Sequence, residues 1–109
     1  MGAPAVGDVV LVPFPFSDLT GHKLRPAFVA ANAEHGDLIL CQITSRPWGH
    51  RSAVTVSGSD VAASGLARES YLRPDKLFTA DARLIVRRIG SLSPAVTSTA
   101  RAVIAGLFA

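Results

Sequence analysis

Apolar residues in this chain come in short dense runs separated by turn-forming clusters, and only the final stretch changes period. Gly7 to Phe14 (GDVVLVPF) is the first run, valine-rich and short enough for a strand buried on both faces. Pro13 and Pro15 donate no backbone hydrogen bond, so they are expected to end its ladder pairing. Ser17 to Lys23 (SDLTGHK) is polar and turn-rich and predicts an exposed loop. Leu24 to Ala31 (LRPAFVAA) reads as a second strand and Leu38 to Thr44 (LILCQIT) as a third, with a turn over Glu34 to Asp37 between them. Ser45 to Arg51 (SRPWGHR) predicts a second loop, and Ser52 to Val56 alternates as a short fourth strand. Gly58 to Gly65 is a polar connection with room for one helical turn, and Leu66 to Leu72 predicts a fifth strand. Arg73-Pro74-Asp75-Lys76 follows, and residues 82 to 91, with RLIVRRIGS, give another basic strand or turn.

After Leu92 the pattern becomes helical. Ser93 is a good N-cap, Pro94 suits the first helical position, and Val96, Ala100, Val103, Ile104 and Leu107 follow at helical spacing. The plan is therefore mainly β, about six short strands with one C-terminal amphipathic helix. Short strands joined by Gly/Pro-rich turns suggest a small, strongly bent barrel or sandwich.

Composition narrows the setting. A chain of 109 residues, 49% of them hydrophobic, is expected to form a single domain over 1–109. So small a domain buries only part of its unfolded surface, and dimerisation would add stability. The single Cys41 excludes an internal disulfide and suits a reducing cytosol. The first sixteen residues lack a basic start and are broken by Pro4, Asp8, Pro13 and Pro15, which argues against a signal peptide. No apolar run reaches the ~20 residues of a membrane helix, so a soluble cytoplasmic protein without membrane attachment is expected. The net charge of +3 points mildly to a polyanionic partner, and nine of the eleven basic residues are arginine, whose planar fork suits phosphate. Arginine and alanine are also abundant in GC-rich genomes, so composition adds little by itself.

Three segments together resemble the MazF/PemK toxin family. Residues 7 to 31 (GDVVLVPFPFSDLTGHKLRPAFVAA) are similar to the family's opening strand, its loop, and a strand that begins with an Arg-Pro pair. Residues 38 to 45 (LILCQITS) form a strand ending in hydroxyl residues, and residues 70 to 79 (SYLRPDKLFT) resemble the Arg-x-Asp segment of the Kid/PemK branch. The resemblance implies an SH3-like β-barrel and a symmetric dimer. It also implies a metal-independent endoribonuclease of a type II toxin–antitoxin system, held quiet by a cognate antitoxin. By the same resemblance Arg25 is the catalytic arginine, Thr44 its hydroxyl partner, and Arg73 and Asp75 match residues with acid and base roles.

The chemistry makes sense of these residues without a cofactor. RNA carries its own nucleophile, the 2′-OH, so a ribonuclease needs a base, a proton donor for the leaving 5′-oxygen, and positive charge for the phosphorane. Cleavage by that route gives a 2′,3′-cyclic phosphate and a 5′-OH. Arg25 is permanently charged and can grip two phosphate oxygens, although a solvated strand arginine looks the same in sequence. Thr44 and Ser45 stand where a strand meets a loop, a place to aim hydroxyls at phosphate, yet threonine is common in strands. Arg73 and Lys76 beside Asp75 favour its charged form, and arginine hardly deprotonates, so the acid and base roles stay open against an ordinary Pro-Asp turn.

The remaining candidates lie in or beside the two loops. Phe16 and Trp48 could stack unpaired bases, whereas Phe14 suits a core or dimer contact. Arg46 and Arg51 beside Trp48 would attract the RNA backbone. His22 precedes Arg25 and is the best placed of the three histidines; His35 and His50 read as exposed loop residues. No Cys/His spacing suggests a metal site. Two other classes fit the same barrel: a non-enzymatic poison of DNA gyrase, which would rely on the final helix, and an inert nucleic-acid-binding module.

Overall fold

The computed structural model describes residues 4–15, 22–44, 54–56 and 70–109, with the backbone alone at Phe14, Pro15, His22 and Lys23. Six strands and a helix follow in order: β1 (Asp8–Pro15), β2 (His22–Asn32), β3 (Asp37–Thr44), β4 (Val54–Val56), β5 (Ser70–Asp81), β6 (Arg87–Ser91) and α1 (Pro94–Gly106). All the pairings are antiparallel, and the strands form one curled half-barrel sheet in the order β4-β5-β3-β2-β1-β6. This is the mainly β plan with a C-terminal helix that the periodicity predicts.

Period-two alternation sends side chains to two separate cores. Val9, Phe28, Cys41, Ile43, Val56 and Leu72 form the first, which α1 covers with Ala100, Val96 and Ile104. Val10, Val12, Ala27, Val29, Leu38 and Leu40 face the other way and are joined by Phe78, Ala82 and Ile85. Each fully buried side chain of the size of Phe28 or Leu40 contributes about 1.5–3 kcal/mol relative to exposure. A strand with apolar residues on both sides, such as Val9-Val10, is therefore held from both faces.

The helix forms as its cap residues dictate. Ser93 Oγ accepts from the Val96 N–H at 3.3 Å, Pro94 occupies the first turn, and Ala100 is completely buried. Gly7 anchors β1 beneath it. Its φ of +99° is left-handed territory, and a Cβ there would meet Thr97 Oγ1 at 3.0 Å. Gly7 N–H donates to the Val29 carbonyl at 2.9 Å, and its carbonyl accepts from Leu92 N–H at 2.8 Å. Next to it, Asp8 locks β1 to β6: its carboxylate accepts from Ala5 N–H at 2.8 Å and Ser91 Oγ at 2.7 Å, with Arg88 Nε 3.2 Å away.

Three expectations need correction. Pairing of β1 does not stop at its prolines; Pro13 pairs with Leu24 and Pro15 with His22. The reason is phase. Leu11 presents its carbonyl to Val86 N–H, towards β6, so Pro13 and Pro15 point their missing N–H groups the same way. β6 pairs with β1 only as far as Leu11, and nothing in the ladder with β2 is lost. In consequence β2 starts at His22, inside the stretch expected to be loop. Third, the fifth strand does not end at Leu72; Arg73-Pro74-Asp75-Lys76 lies within β5, which runs on to Asp81.

Candidate active site

The strand register brings two of the sequence candidates, Arg25 and Thr44, to one side of the sheet. Ala27 and Val29 on β2 face the second core, so Arg25, two residues earlier, shares their side. On β3, Leu40 does the same, followed by Gln42 and Thr44. Ala27 pairs with Gln42, and carrying that register two residues further sets Arg25 opposite Thr44. Thr44 pairs in turn with Tyr71 on β5, and Tyr71 with Thr55 on β4. A polar row, Thr55-Tyr71-Thr44-Arg25, thus crosses four strands and ends at Val12, the partner of Arg25 on β1. Directly paired Cα atoms lie about 4.5–5.5 Å apart, so a single phosphate can span neighbours in such a row.

Beside the row β5 is distorted. Cys41 pairs with Leu77 and Ile43 with Leu72, so two steps along β3 correspond to five along β5. The four residues Arg73 to Lys76 thus bulge opposite the single Gln42, a surplus of three. Leu72 and Pro74 turn inward and are fully buried, while Tyr71 and Arg73, which alternate with them, stay half-buried on the side of Thr44. Arg73 Nη2 donates to Asp75 Oδ2 at 2.8 Å. The Arg73 side chain is 20% exposed and that of Asp75 48%, so the pair is rooted in the sheet and open at the carboxylate. Arg73 Nε is buried with no hydrogen-bond partner among the described residues. An unmet buried donor costs about 1–3 kcal/mol, and such groups mark places where geometry serves something besides stability.

Behind the bulge lies the cysteine. Cys41 Sγ donates to the Arg73 carbonyl at 3.0 Å and lies 3.8 Å from that of Gln42. Burial pushes its thiol up to about 12, with the Asp75 charge acting the same way, against a backbone hydrogen bond at Arg73 and the Arg73 charge. It is thus a protonated donor, and its place inside an apolar strand agrees with the sequence reading.

The structure therefore gathers Arg25, Thr44, Arg73 and Asp75 on one side of the β2-β3-β5 part of the sheet. Ser45, Phe16, Arg46 and Trp48, with Arg51 and His50, lie outside the described residues, and of His22 only the backbone in β2 is described. His35 sits far off in the 3-10 turn Glu34–Gly36, exposed and 3.7 Å from Glu34. Tyr71 and Gln42 were not singled out in sequence, although each alternates with a buried neighbour, Leu72 and Ile43, and that signal was readable. Among the described residues no three His, Cys, Asp or Glu side chains converge. A cavity of about 360 Å³ lies instead on the helix side, lined by Val6, Leu92, Pro94, Thr97, Ser98 and Arg101, and holds none of these candidates.

Comparison with known proteins places this geometry. The family described as PemK-like, MazF-like toxin of type II toxin–antitoxin system matches residues 5–108. No curated protein sequence matches significantly. Among solved structures the chain is similar to MazF in the MazE–MazF complex of Deinococcus radiodurans, with a TM-score of 0.77 and 23% identity over 98% of this chain and 97% of that one. It is similar to an endoribonuclease in complex with its cognate antitoxin from a mycobacterial species, with a TM-score of 0.74 and 18% identity over 99% and 95%. It is also similar to the Mycobacterium tuberculosis toxin MazF-mt6, with a TM-score of 0.72 and 19% identity over 93% and 95%. At these identities the likeness speaks for the fold.

Proposed function

The chain belongs to the PemK-like, MazF-like toxin family of type II toxin–antitoxin systems, and from that premise we propose that it is an endoribonuclease cutting single-stranded RNA. The observation that carries this reading is the β2–β3 register, which continued two residues beyond Ala27 and Gln42 sets Arg25 opposite Thr44, with the Arg73–Asp75 pair beside it. A guanidinium and a hydroxyl on adjacent strands can hold the non-bridging oxygens of one phosphate, and the charge grows more valuable as the phosphorane forms. The Asp75 carboxylate takes the proton of the 2′-OH, held in place for it by Arg73. The 2′-oxygen then bonds to phosphorus as the bond to the 5′-oxygen breaks, leaving a 2′,3′-cyclic phosphate and a 5′-OH. The leaving oxygen needs a proton, and the half-exposed face admits water to supply it.

The reaction needs no metal in this scheme, because Arg25 supplies the charge and RNA the nucleophile. The polar row extends the surface beyond the cut: Tyr71 offers a ring for stacking, and Ser45, Phe16, His22, Arg46 and Trp48 are proposed to add substrate contacts. A cognate antitoxin is proposed as partner, with an acidic segment covering the basic face around Arg25. A homodimer acting in the cytoplasm completes the reading. Sedimentation at micromolar concentration tests the dimer; a monomer mass overturns it.

Incubation of the purified protein with a long single-stranded RNA in excess EDTA tests the reaction. Cuts at one short motif bearing 5′-OH ends are expected. Intact RNA at high protein concentration would contradict the proposal and direct attention to gyrase inhibition and plain RNA binding.

A further inference from the structure

The bulge in β5 poses a problem that the ladder cannot solve. Three surplus residues between Leu72 and Leu77 leave backbone groups with no opposite number on β3. One of them is the carbonyl of Arg73, which carries the guanidinium of the candidate site on the same residue. It receives its hydrogen bond from a side chain instead, the thiol of Cys41, at 3.0 Å and 32 residues away in sequence. Cys41 is completely buried, and so is Pro74 on the far side of the same peptide. The peptide between Arg73 and Pro74 is thereby gripped by a donor at its oxygen and by packing at its ring.

We infer that Cys41 is a positioning residue for the Arg73–Asp75 pair, acting through its hydrogen bond to the Arg73 carbonyl; the inference rests on the nuclease reading for its effect on rate. Among the described residues Arg73 Nη2 contacts Asp75, while Nε has no hydrogen-bond partner to orient it. The orientation of the guanidinium therefore depends on where its own backbone is held. A thiol serves this purpose in apolar surroundings because it is a weak donor with small desolvation cost, and burial keeps it protonated. The same burial means that Cys41 acts neither as nucleophile nor as metal ligand.

The test compares Cys41→Ala, which removes the donor, with Cys41→Ser, which keeps one. Steady-state cleavage of a short RNA, thermal unfolding, and the NMR resonance of Arg73 Nε–H are followed for both and for the unaltered protein. Cys41→Ala is expected to lower kcat by ~10- to 100-fold with KM changed little, because a displaced catalytic group costs rate and not binding. Cys41→Ser is expected to restore most of the rate and to return the Arg73 Nε–H resonance towards its original position. Folded Cys41→Ala protein with unaltered kcat and an unmoved resonance would overturn the inference. So would equal losses in both variants that simply follow their unfolding temperatures. If the unaltered protein cuts no RNA, the nuclease reading fails by itself, and the resonance alone then decides whether Cys41 positions Arg73.

Discussion

Arg73 Nη2 reaches Asp75 Oδ2 at 2.8 Å across a single intervening residue, and that residue, Pro74, is turned into the core. The pair is therefore built from one extended stretch of β5, with its partners two apart on the same side of the strand. Fixed φ at Pro74 and its burial limit how far the two side chains can drift apart. A contact made by two mobile surface residues would be worth little; one rooted by a buried proline is a candidate for organised chemistry.

If Asp75 takes the proton and Arg73 holds it, the two act as a unit. Asp75→Asn is expected to lower kcat by ~100-fold or more, within the range for loss of a general base. Arg73→Ala is expected to do comparable damage. The double variant should lose little beyond the worse of the two singles, since coupled groups are not additive. A double-mutant cycle on initial cleavage rates checks this, and fully additive losses would contradict a shared role.

Asp8 is expected to make the fold acid-sensitive. Burial pushes its carboxyl up, but the hydrogen bonds from Ala5, Ser91 and Arg88 and the Arg88 charge outweigh that and leave it below the ordinary carboxylate range. A group lowered on folding stabilises above its unfolded pKa, and that contribution is lost as pH falls through its folded value. Asp8→Asn should therefore cost about 1–3 kcal/mol near neutrality. The gap should narrow as pH falls from neutrality through the ordinary carboxylate range towards the lower folded value. Urea unfolding of both proteins across that range is the measurement, and a gap independent of pH would contradict the account.

Gly7 faces two separate obstacles to a side chain, its φ of +99° and the Thr97 hydroxyl 3.0 Å from a built Cβ. Gly7→Ala is expected to destabilise by about 1–3 kcal/mol from the backbone strain, with the clash added. Removing the obstructing side chain in Gly7→Ala/Thr97→Ala should relieve the second obstacle and leave the first. Complete recovery of stability in denaturant unfolding of the double variant would show that the backbone there is not strained.

Much of this architecture was legible because it is local. Valine-rich β1, the LILCQIT strand and the Ser93-Pro94 helix start each announce themselves within a few residues. What the sequence hid depends on partners far along the chain. Pro13 and Pro15 read as ladder breakers until it is known that β6 does not extend beside them. Arg-Pro-Asp-Lys has turn chemistry locally, yet pairing of β5 with β3 on both sides carries the strand through as a bulge. The candidate residues were legible as residue types, and their sharing of one side of the sheet follows from register. Alternation hinted at Tyr71 and Gln42, but register was needed to set them beside Thr44 and Ala27, and Cys41, read as a buried strand residue, shows its bond to Arg73 only in three dimensions.

The central claim is that Arg25 stabilises a phosphate under attack by its own 2′-oxygen. The most direct test maps and times the cuts made in a short RNA by the unaltered protein and by Arg25→Ala, beside the same RNA with one 2′-deoxynucleotide at the cut. The account predicts 5′-OH ends, a ~100- to 1000-fold slower Arg25→Ala, and no cleavage at the deoxy position. Cleavage that persists at the deoxy position, or an Arg25→Ala protein that cuts at the original rate, would contradict it.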